Sequence, residues 1–259
     1  MTRSEHHLTP EKRIVVGLQP VREAIRAHGA ALHQVLVGRG DNPRLAALVR
    51  FAESNGVTVA QVPRKDIDKH SGGVRHQGAL AFAPPLTLLP LEDLAVTPSS
   101  LVIVLDGITD PQNFGATIRS AVALEASAVV WGEHGAAPLT PATFRASAGA
   151  VEHATLCQVR SVRAAMTDLA DSGLQTVALD AGASVSLSAV DLRGPVAIAV
   201  GAEDTGVSRG VRRLCAHRAR LPIGNRIDSL NASVAAALAL YECRRQRETS
   251  EPDSQTYLE

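Results

Sequence analysis

A chain of 259 residues, 45% hydrophobic and 20% charged, is long enough for one large or two smaller buried cores. Lys+Arg and Asp+Glu are equal at 26 each, so net charge names no partner, and three scattered cysteines without a C-x-x-C (Cys157, Cys215, Cys243) argue against a zinc site or a disulfide framework. MTRSEHHLTPEKR lacks the apolar core of a signal peptide and no apolar run approaches membrane-spanning length, so a cytoplasmic protein with no membrane partner is expected.

The charge is unevenly spread. Residues 1–83 hold 12 basic and 7 acidic side chains, a net +5, and residues 84–259 hold 14 and 19. A basic front end can meet phosphates, although a solvated basic surface gives the same count.

In chain order, a polar tail (1–13) precedes a small α/β unit over 14–83. Its predicted elements are a strand at Ile14–Val16, a helix near Pro20–Ala27, a strand at Gln34–Val37, a helix at Arg44–Asn55 and strands at Val57–Val62 and Ala79–Phe82. The stretch PPLTLLPLEDLAVTPSS (84–100), with four prolines and little periodicity, reads as a linker. A second domain follows over 101–247. Its apolar β-rich runs are LVIVLD (101–106), SAVVWG (127–132), LQTVALD (174–180), PVAIAVG (195–201) and ARLPI (219–223). Helical patterns at Ala116–Ala126, Val162–Ser172, Val207–Ala216 and Leu230–Arg247 lie between or after them, which predicts an α/β fold with a parallel sheet covered on both faces. The tail 248–259 reads as disordered.

In open parallel sheets ligands gather beyond the carboxyl ends of strands, and three strand-end loops carry an excess of polar groups. After LVIVLD comes GITDPQNFGATIR, where Asn113 suits a helix N-cap and Arg119 is an arginine on an alanine-lined helical face. After PVAIAVG comes AEDTGVS, where Glu203 and Asp204 suit the first turn of a helix. After ARLPI comes GNRIDSLN, where Asp228, Ser229 and Asn231 can each cap a helix; three of them together with Arg226 exceed what capping needs. No G-x-G-x-x-G follows a strand, and Gly201-x4-Gly206 lacks the Lys-Ser/Thr of a phosphate-binding loop, which disfavours ordinary dinucleotide and P-loop enzymes. Six of the nine histidines lie in residues 1–83 and none in these loops, which gives histidine catalysis little support.

Together, D-x3-DPQNFGATIRSA (106–121), VGAEDTGVS (200–208) and LPIGNRIDSLNASVAAALALYE (221–242) resemble the three signature motifs of the SpoU/TrmH family of RNA ribose 2′-O-methyltransferases. GLQPVREAI (17–25) and HQGALA (76–81) resemble the RNA-binding front domain of RlmB-type members, which modify 23S ribosomal RNA. The resemblance covers roughly 14–247. It implies a trefoil-knotted SPOUT domain binding S-adenosylmethionine, a homodimer built through that domain, no metal, and a front domain similar to a small RNA-binding ribosomal protein.

By position the resemblance assigns Asn113, Arg119, Glu203, Ser229 and Asn231 to catalysis. Gly201, Leu221, Ile223 and Leu230 match cofactor-holding positions, mostly through backbone groups. His76 and Gln77 match RNA contacts, and a strand-entry turn explains them equally well. Asp204 and Asn225 depart from the family pattern, both standing where relatives carry Gly. Family members make the Arg119 position the activator of the 2′-hydroxyl. Guanidinium groups, with pKa values above about 12, are poor bases. Two roles stay open: deprotonation helped by the RNA phosphate, or a charged group that orients that phosphate and stabilises the alkoxide. The implied reaction is methylation of 23S rRNA at a guanosine of the peptidyl-transferase region. Alternatives are the same chemistry on tRNA or another rRNA nucleotide, and a noncatalytic RNA-binding ribosome-assembly factor.

Overall fold

The computed structural model describes residues 13–137, 139–224 and 226–249. Tail positions 1–12 and 250–259, and the departure at Asn225, lie outside the described residues. The chain divides into two compact units, one formed by residues 1–88 and 139–153, the other by 89–138 and 154–259.

The front unit contains β1 (Arg13–Val16), α1 (Leu18–His28), β2 (Gln34–Gly38), α2 (Pro43–Ser54), β3 (Val59–Val62), α3 (Arg64–Ser71) and β4 (Ala79–Ala83). Its sheet runs β1-β4-β2-β3, with β4 antiparallel to both neighbours and β2 parallel to β3. Apolar residues of α1 and α2, including Val21, Ile25 and Leu48, close one face over Val35, Val37 and Ala81. Helix α3 has no amphipathic stripe in its sequence, RKDIDKHS; one fully buried residue, Ile67, docks it beside Leu36 and Leu80. The excursion 139–153 completes this unit and includes α4 (Pro141–Ala146). Gly149, at φ +91°, lies so close to α1 that a Cβ there would stand 2.8 Å from Pro20 Cα. Glu152 accepts from the two terminal guanidinium nitrogens of Arg13 at 2.6 and 2.7 Å and pairs with His28 Nε2 at 2.9 Å. Arg13, counted with the polar tail in the sequence, is therefore a β1 residue only 3% exposed, buried because its charge is fully paired.

The second unit contains β5 (Leu101–Asp106), α5 (Pro111–Ala123), β6 (Ala128–Gly132), β7 (Leu156–Val159), α6 (Val162–Asp171), β8 (Gln175–Leu179), β9 (Val185–Ser186), β10 (Val196–Gly201), α7 (Arg209–Arg212), β11 (His217–Arg220) and α8 (Ala232–Glu248). Its seven strands are all parallel, in the order β7-β6-β5-β10-β8-β11-β9. Strands β5, β6 and β10 are almost wholly buried, as continuous apolar runs require in a sheet covered on both faces.

Several boundaries differ from the sequence reading. Helix α5 starts at Pro111 because Asp110 caps it, accepting from the backbone N–H groups of Gln112 and Asn113. The strand expected at 219–223 is His217–Arg220, and only Arg209–Arg212 of the expected helix 207–216 is helical. The proline-rich stretch 84–100 carries a short 3₁₀ turn at Leu91–Asp93, and Leu86 and Ser100 are buried. Helix α8 continues to Glu248, one residue into the expected tail.

Candidate active site

A cavity of about 360 Å³ opens at the carboxyl ends of β8 and β10. Its walls come from the loops after β8 (Leu179, Asp180, Ala181), after β10 (Gly201–Val207) and between β11 and α8 (Leu221, Ile223, Asp228, Ser229, Leu230). All four residues assigned to the cofactor, Gly201, Leu221, Ile223 and Leu230, line it, with Glu203, Asp204 and Ser229.

The loop after β10 is shaped by backbone geometry. Gly206 N–H donates to Ala202 C=O at 2.7 Å and folds the loop back over Gly201. A Cβ at Gly201 would fall 1.9 Å from the Gly206 carbonyl carbon, so only glycine fits. Asp106, at the end of β5, accepts from Ser208 N–H at 2.7 Å and pins the far end of the loop. Glu203 and Asp204 consequently lie in a loop; the helix whose first turn they were expected to occupy begins at Arg209.

Glu203 gathers the other two motifs. Its Oε1 accepts from Asn113 Nδ2 and, at 2.9 Å, from Asn231 Nδ2, which also donates to Asn113 Oδ1 at 2.9 Å. Asn113 is free for this because Asp110 does the capping, and it is buried in the first turn of α5. Asn231 does cap α8, its Oδ1 accepting from the N–H groups of Ser233 and Val234, so one side chain joins helix start and network. Residues 113, 203 and 231 thus form one hydrogen-bonded triangle at the cavity's edge. Ser229 is exposed on the cavity wall, and Arg119 is exposed on α5 with no side-chain partner among the described residues.

The other two expected contacts sit in the front unit. His76 is 4% exposed; Nδ1 accepts from Gly78 N–H at 3.0 Å, which leaves Nε2 to donate to Asp68 at 2.9 Å. Both ring nitrogens are engaged within the front unit, which is the strand-entry turn that the sequence offered beside an RNA contact. Gln77 is exposed at φ +53°, and its Oε1 accepts from Leu18 N–H at 3.3 Å at the start of α1.

Sequence reasoning passed over Asp180, whose position at the end of LQTVALD was the available signal. It accepts from Gly182 N–H at 3.0 Å and pairs with Arg218 at 2.6 Å and Arg212 at 3.5 Å. Burial pushes its carboxyl up, but Arg218, Gly182 and Arg212 more than reverse this and hold it below the ordinary carboxylate value. Among the described residues no three His, Cys, Asp or Glu side chains converge as a metal site would, and no helix is long and apolar enough to cross a membrane.

The profile of the SpoU rRNA Methylase family matches residues 100–241, and a profile described as RNA 2′-O ribose methyltransferase substrate binding matches residues 14–89. A protein of Mycolicibacterium vanbaalenii called an uncharacterized tRNA/rRNA methyltransferase is 34% identical over 255 residues, 96% of this chain and 81% of its own length. One of Mycolicibacterium smegmatis with the same description is 36% identical over 244 residues, 92% and 77% respectively. Among solved structures, an RNA 2′-O ribose methyltransferase superposes with TM-score 0.76 at 29% identity, covering 92% of this chain and 90% of that one. The SpoU methyltransferase AviRb from Streptomyces viridochromogenes, in complex with the cofactor AdoMet, gives TM-score 0.76 at 24% identity over 92% and 91%, a likeness of fold.

Proposed function

Because the chain belongs to the SpoU rRNA Methylase family, we propose that it transfers a methyl group from S-adenosylmethionine to a ribose 2′-hydroxyl of 23S ribosomal RNA, at a guanosine of the peptidyl-transferase region. The observation that carries this reading is the Asn113–Glu203–Asn231 triangle at the edge of a cavity walled by three strand-end loops. The cavity suits the cofactor: apolar Leu179, Leu221, Ile223 and Leu230 can cover a nucleoside, and Asp180, Glu203, Asp204 and Asp228 offer acceptors for hydroxyl and ammonium groups. The bound cofactor supplies an electrophilic methyl carbon on a sulfonium sulfur.

The chain's own contribution is positioning and charge. Alignment of hydroxyl oxygen, methyl carbon and sulfur can lower the barrier by roughly 7–11 kcal/mol. Glu203, fixed by two amide donors, holds the loop after β10 against α5 and the start of α8. Ser229, exposed on the wall, orients the ribose, and Arg119, exposed and without a side-chain partner among the described residues, meets the RNA phosphate and stabilises the developing alkoxide.

A cytoplasmic homodimer is part of the same reading. Val234, Leu238 and Tyr241, spaced i, i+4, i+7 on α8, are 45, 42 and 56% exposed and form an apolar stripe suited to a second copy. The trefoil knot is supported by chain order. From β10 the chain crosses to β11 beyond β8, then returns through 221–231 to place α8 against β5 and β10.

Methyl transfer from labelled S-adenosylmethionine to total RNA from cells lacking the protein, with mapping of 2′-O-methyl positions, tests the proposal. Label in 23S rRNA that disappears with Arg119→Ala supports it. Label confined to tRNA would favour the second reading, which rests on the relatives' description as tRNA/rRNA methyltransferases. No label in any RNA would leave a binding factor.

A further inference from the structure

The balanced charge of the chain hides a sharp local segregation. Residues 205–227 contain six arginines (Arg209, Arg212, Arg213, Arg218, Arg220 and Arg226) and no Asp or Glu, whereas the rest of 84–259 has 8 basic against 19 acidic residues. The segment also borders the cavity, which takes Thr205, Gly206, Val207 and Arg212 from one end and Leu221 and Ile223 from the other.

The fold gathers these charges. Arg212 on α7 and Arg218 on β11 converge on the same Asp180 carboxylate oxygen, which brings helix and strand together and neutralises one of the two cations. Arg220 lies on the same face of β11 as Arg218, two residues on, while Ala219 points into the core. Arg209 and Arg213 stand one turn apart at α7, and Arg163 of α6 reaches within 3.6 Å of a Cβ built on Gly210. Arg163, Arg209, Arg213 and Arg220 are exposed with no side-chain partner among the described residues. Surface arginines that no described side chain neutralises, grouped beside a reaction cavity in an otherwise acidic unit, make a phosphate-binding surface.

We propose that the arginine surface of α7 and β11 binds the RNA phosphate backbone directly, so that the methyltransferase unit holds RNA at a second place beyond the phosphate assigned to Arg119 and beyond any contact made by the front unit. The inference takes the polyanion to be RNA from the proposed function. Phosphate contacts carry no sequence information, so the surface acts on any RNA and sets affinity and registration; choice of nucleotide lies elsewhere.

The test uses the full-length protein, a fluorescent RNA hairpin of generic sequence and anisotropy titrations over a salt series. Arg209→Gln/Arg213→Gln/Arg220→Gln should weaken binding about tenfold or more at low salt and flatten the slope of log affinity against log salt by about 2–3, as expected for three lost phosphate contacts on a hairpin. The corresponding triple lysine variant, which keeps the charges, should stay within about threefold of wild type. S-adenosylmethionine affinity, measured by calorimetry, should be unchanged. Unaltered affinity and slope would overturn the inference. So would equal losses in the lysine variant, or loss of cofactor binding in the glutamine variant, each of which would make the segment a structural wall. If wild type methylates no RNA while the slope still changes, the methyltransferase reading fails and the surface stands.

Discussion

Asn231 serves the start of α8 and the triangle at once, and two substitutions separate these jobs. Asn231→Ala removes the cap, worth about 1 kcal/mol, together with the donors to Asn113 and Glu203. A hydrogen bond to a carboxylate contributes about 1.5–3 kcal/mol when buried, and exposure of Asn231 reduces that to about 1, for a total near 2 kcal/mol. Asn231→Asp keeps the cap acceptor and gains a few tenths of a kcal/mol from the helix dipole. It also loses both donors and places a second carboxylate where an amide nitrogen stood 2.9 Å from Glu203 Oε1. Two like charges about 4 Å apart repel by about 1 kcal/mol with water-like screening and about 4 with partial screening. At this half-open edge the deficit at neutral pH should be about 2 kcal/mol. Facing carboxylates raise one another's pKa, so the folded variant takes up protons more readily than its unfolded chain. Its deficit relative to wild type must therefore shrink as pH falls through the carboxylate range. Urea unfolding of wild type and both variants at pH 7 and near pH 4.5, with initial methyl-transfer rates at neutral pH, measures all of this. An Asn231→Asp protein as stable and active as wild type at pH 7, or a deficit that widens on acidification, would refute the reasoning.

Gly201→Ala must displace backbone around Gly206, so calorimetry should show loss of S-adenosylmethionine binding along with a stability cost of about 1–3 kcal/mol; tight binding by this variant would contradict the loop geometry. Glu152→Ala strands the buried Arg13 charge and should cost about 3–5 kcal/mol in urea unfolding. Burial pushes the Glu152 carboxyl up, but His28 and Arg13 more than reverse this and hold it below its ordinary value. Its stabilisation is thus present above the unfolded-state carboxylate pKa and lost as pH falls through the lower folded value, so the wild-type advantage over Glu152→Ala should vanish in acid. In the proposed homodimer Leu238→Asp should give monomers in analytical ultracentrifugation, whereas a mass unchanged from wild type would take α8 out of the proposed interface.

The fold was legible wherever burial on both faces wrote itself as a continuous apolar run, as in β5, β6, β8 and β10. It was illegible where a single contact decides the matter. Helix α3 is docked by a single buried apolar residue, Ile67, with Ser71 and an edge contact of His70 on Phe82, and β9 is two residues long. The return of 139–153 to the front unit depends on ion pairs with residues more than a hundred positions away, which no local pattern records. At the site, motif positions named the three residues of the triangle. Periodicity could not show that Asp110 and Asn231 would do the capping and so leave Asn113 for Glu203. At His76 a polar residue beside a glycine in a turn suits a ligand and its own backbone equally in sequence, and only the folded chain shows Nδ1 accepting from Gly78 N–H.

The discontinuous front unit also constrains the order of events during synthesis. Translation delivers β1 to β4 first, with Arg13 already due a place inside, but its counter-charge Glu152 is coded roughly seventy residues after β4 ends. Until the ribosome has passed that codon, the nascent front sheet holds an uncompensated cation and an α1 surface awaiting Gly149. Completion of the front unit is therefore post-dated to the appearance of the first strands of its neighbour, departing from simple amino-terminal-first folding.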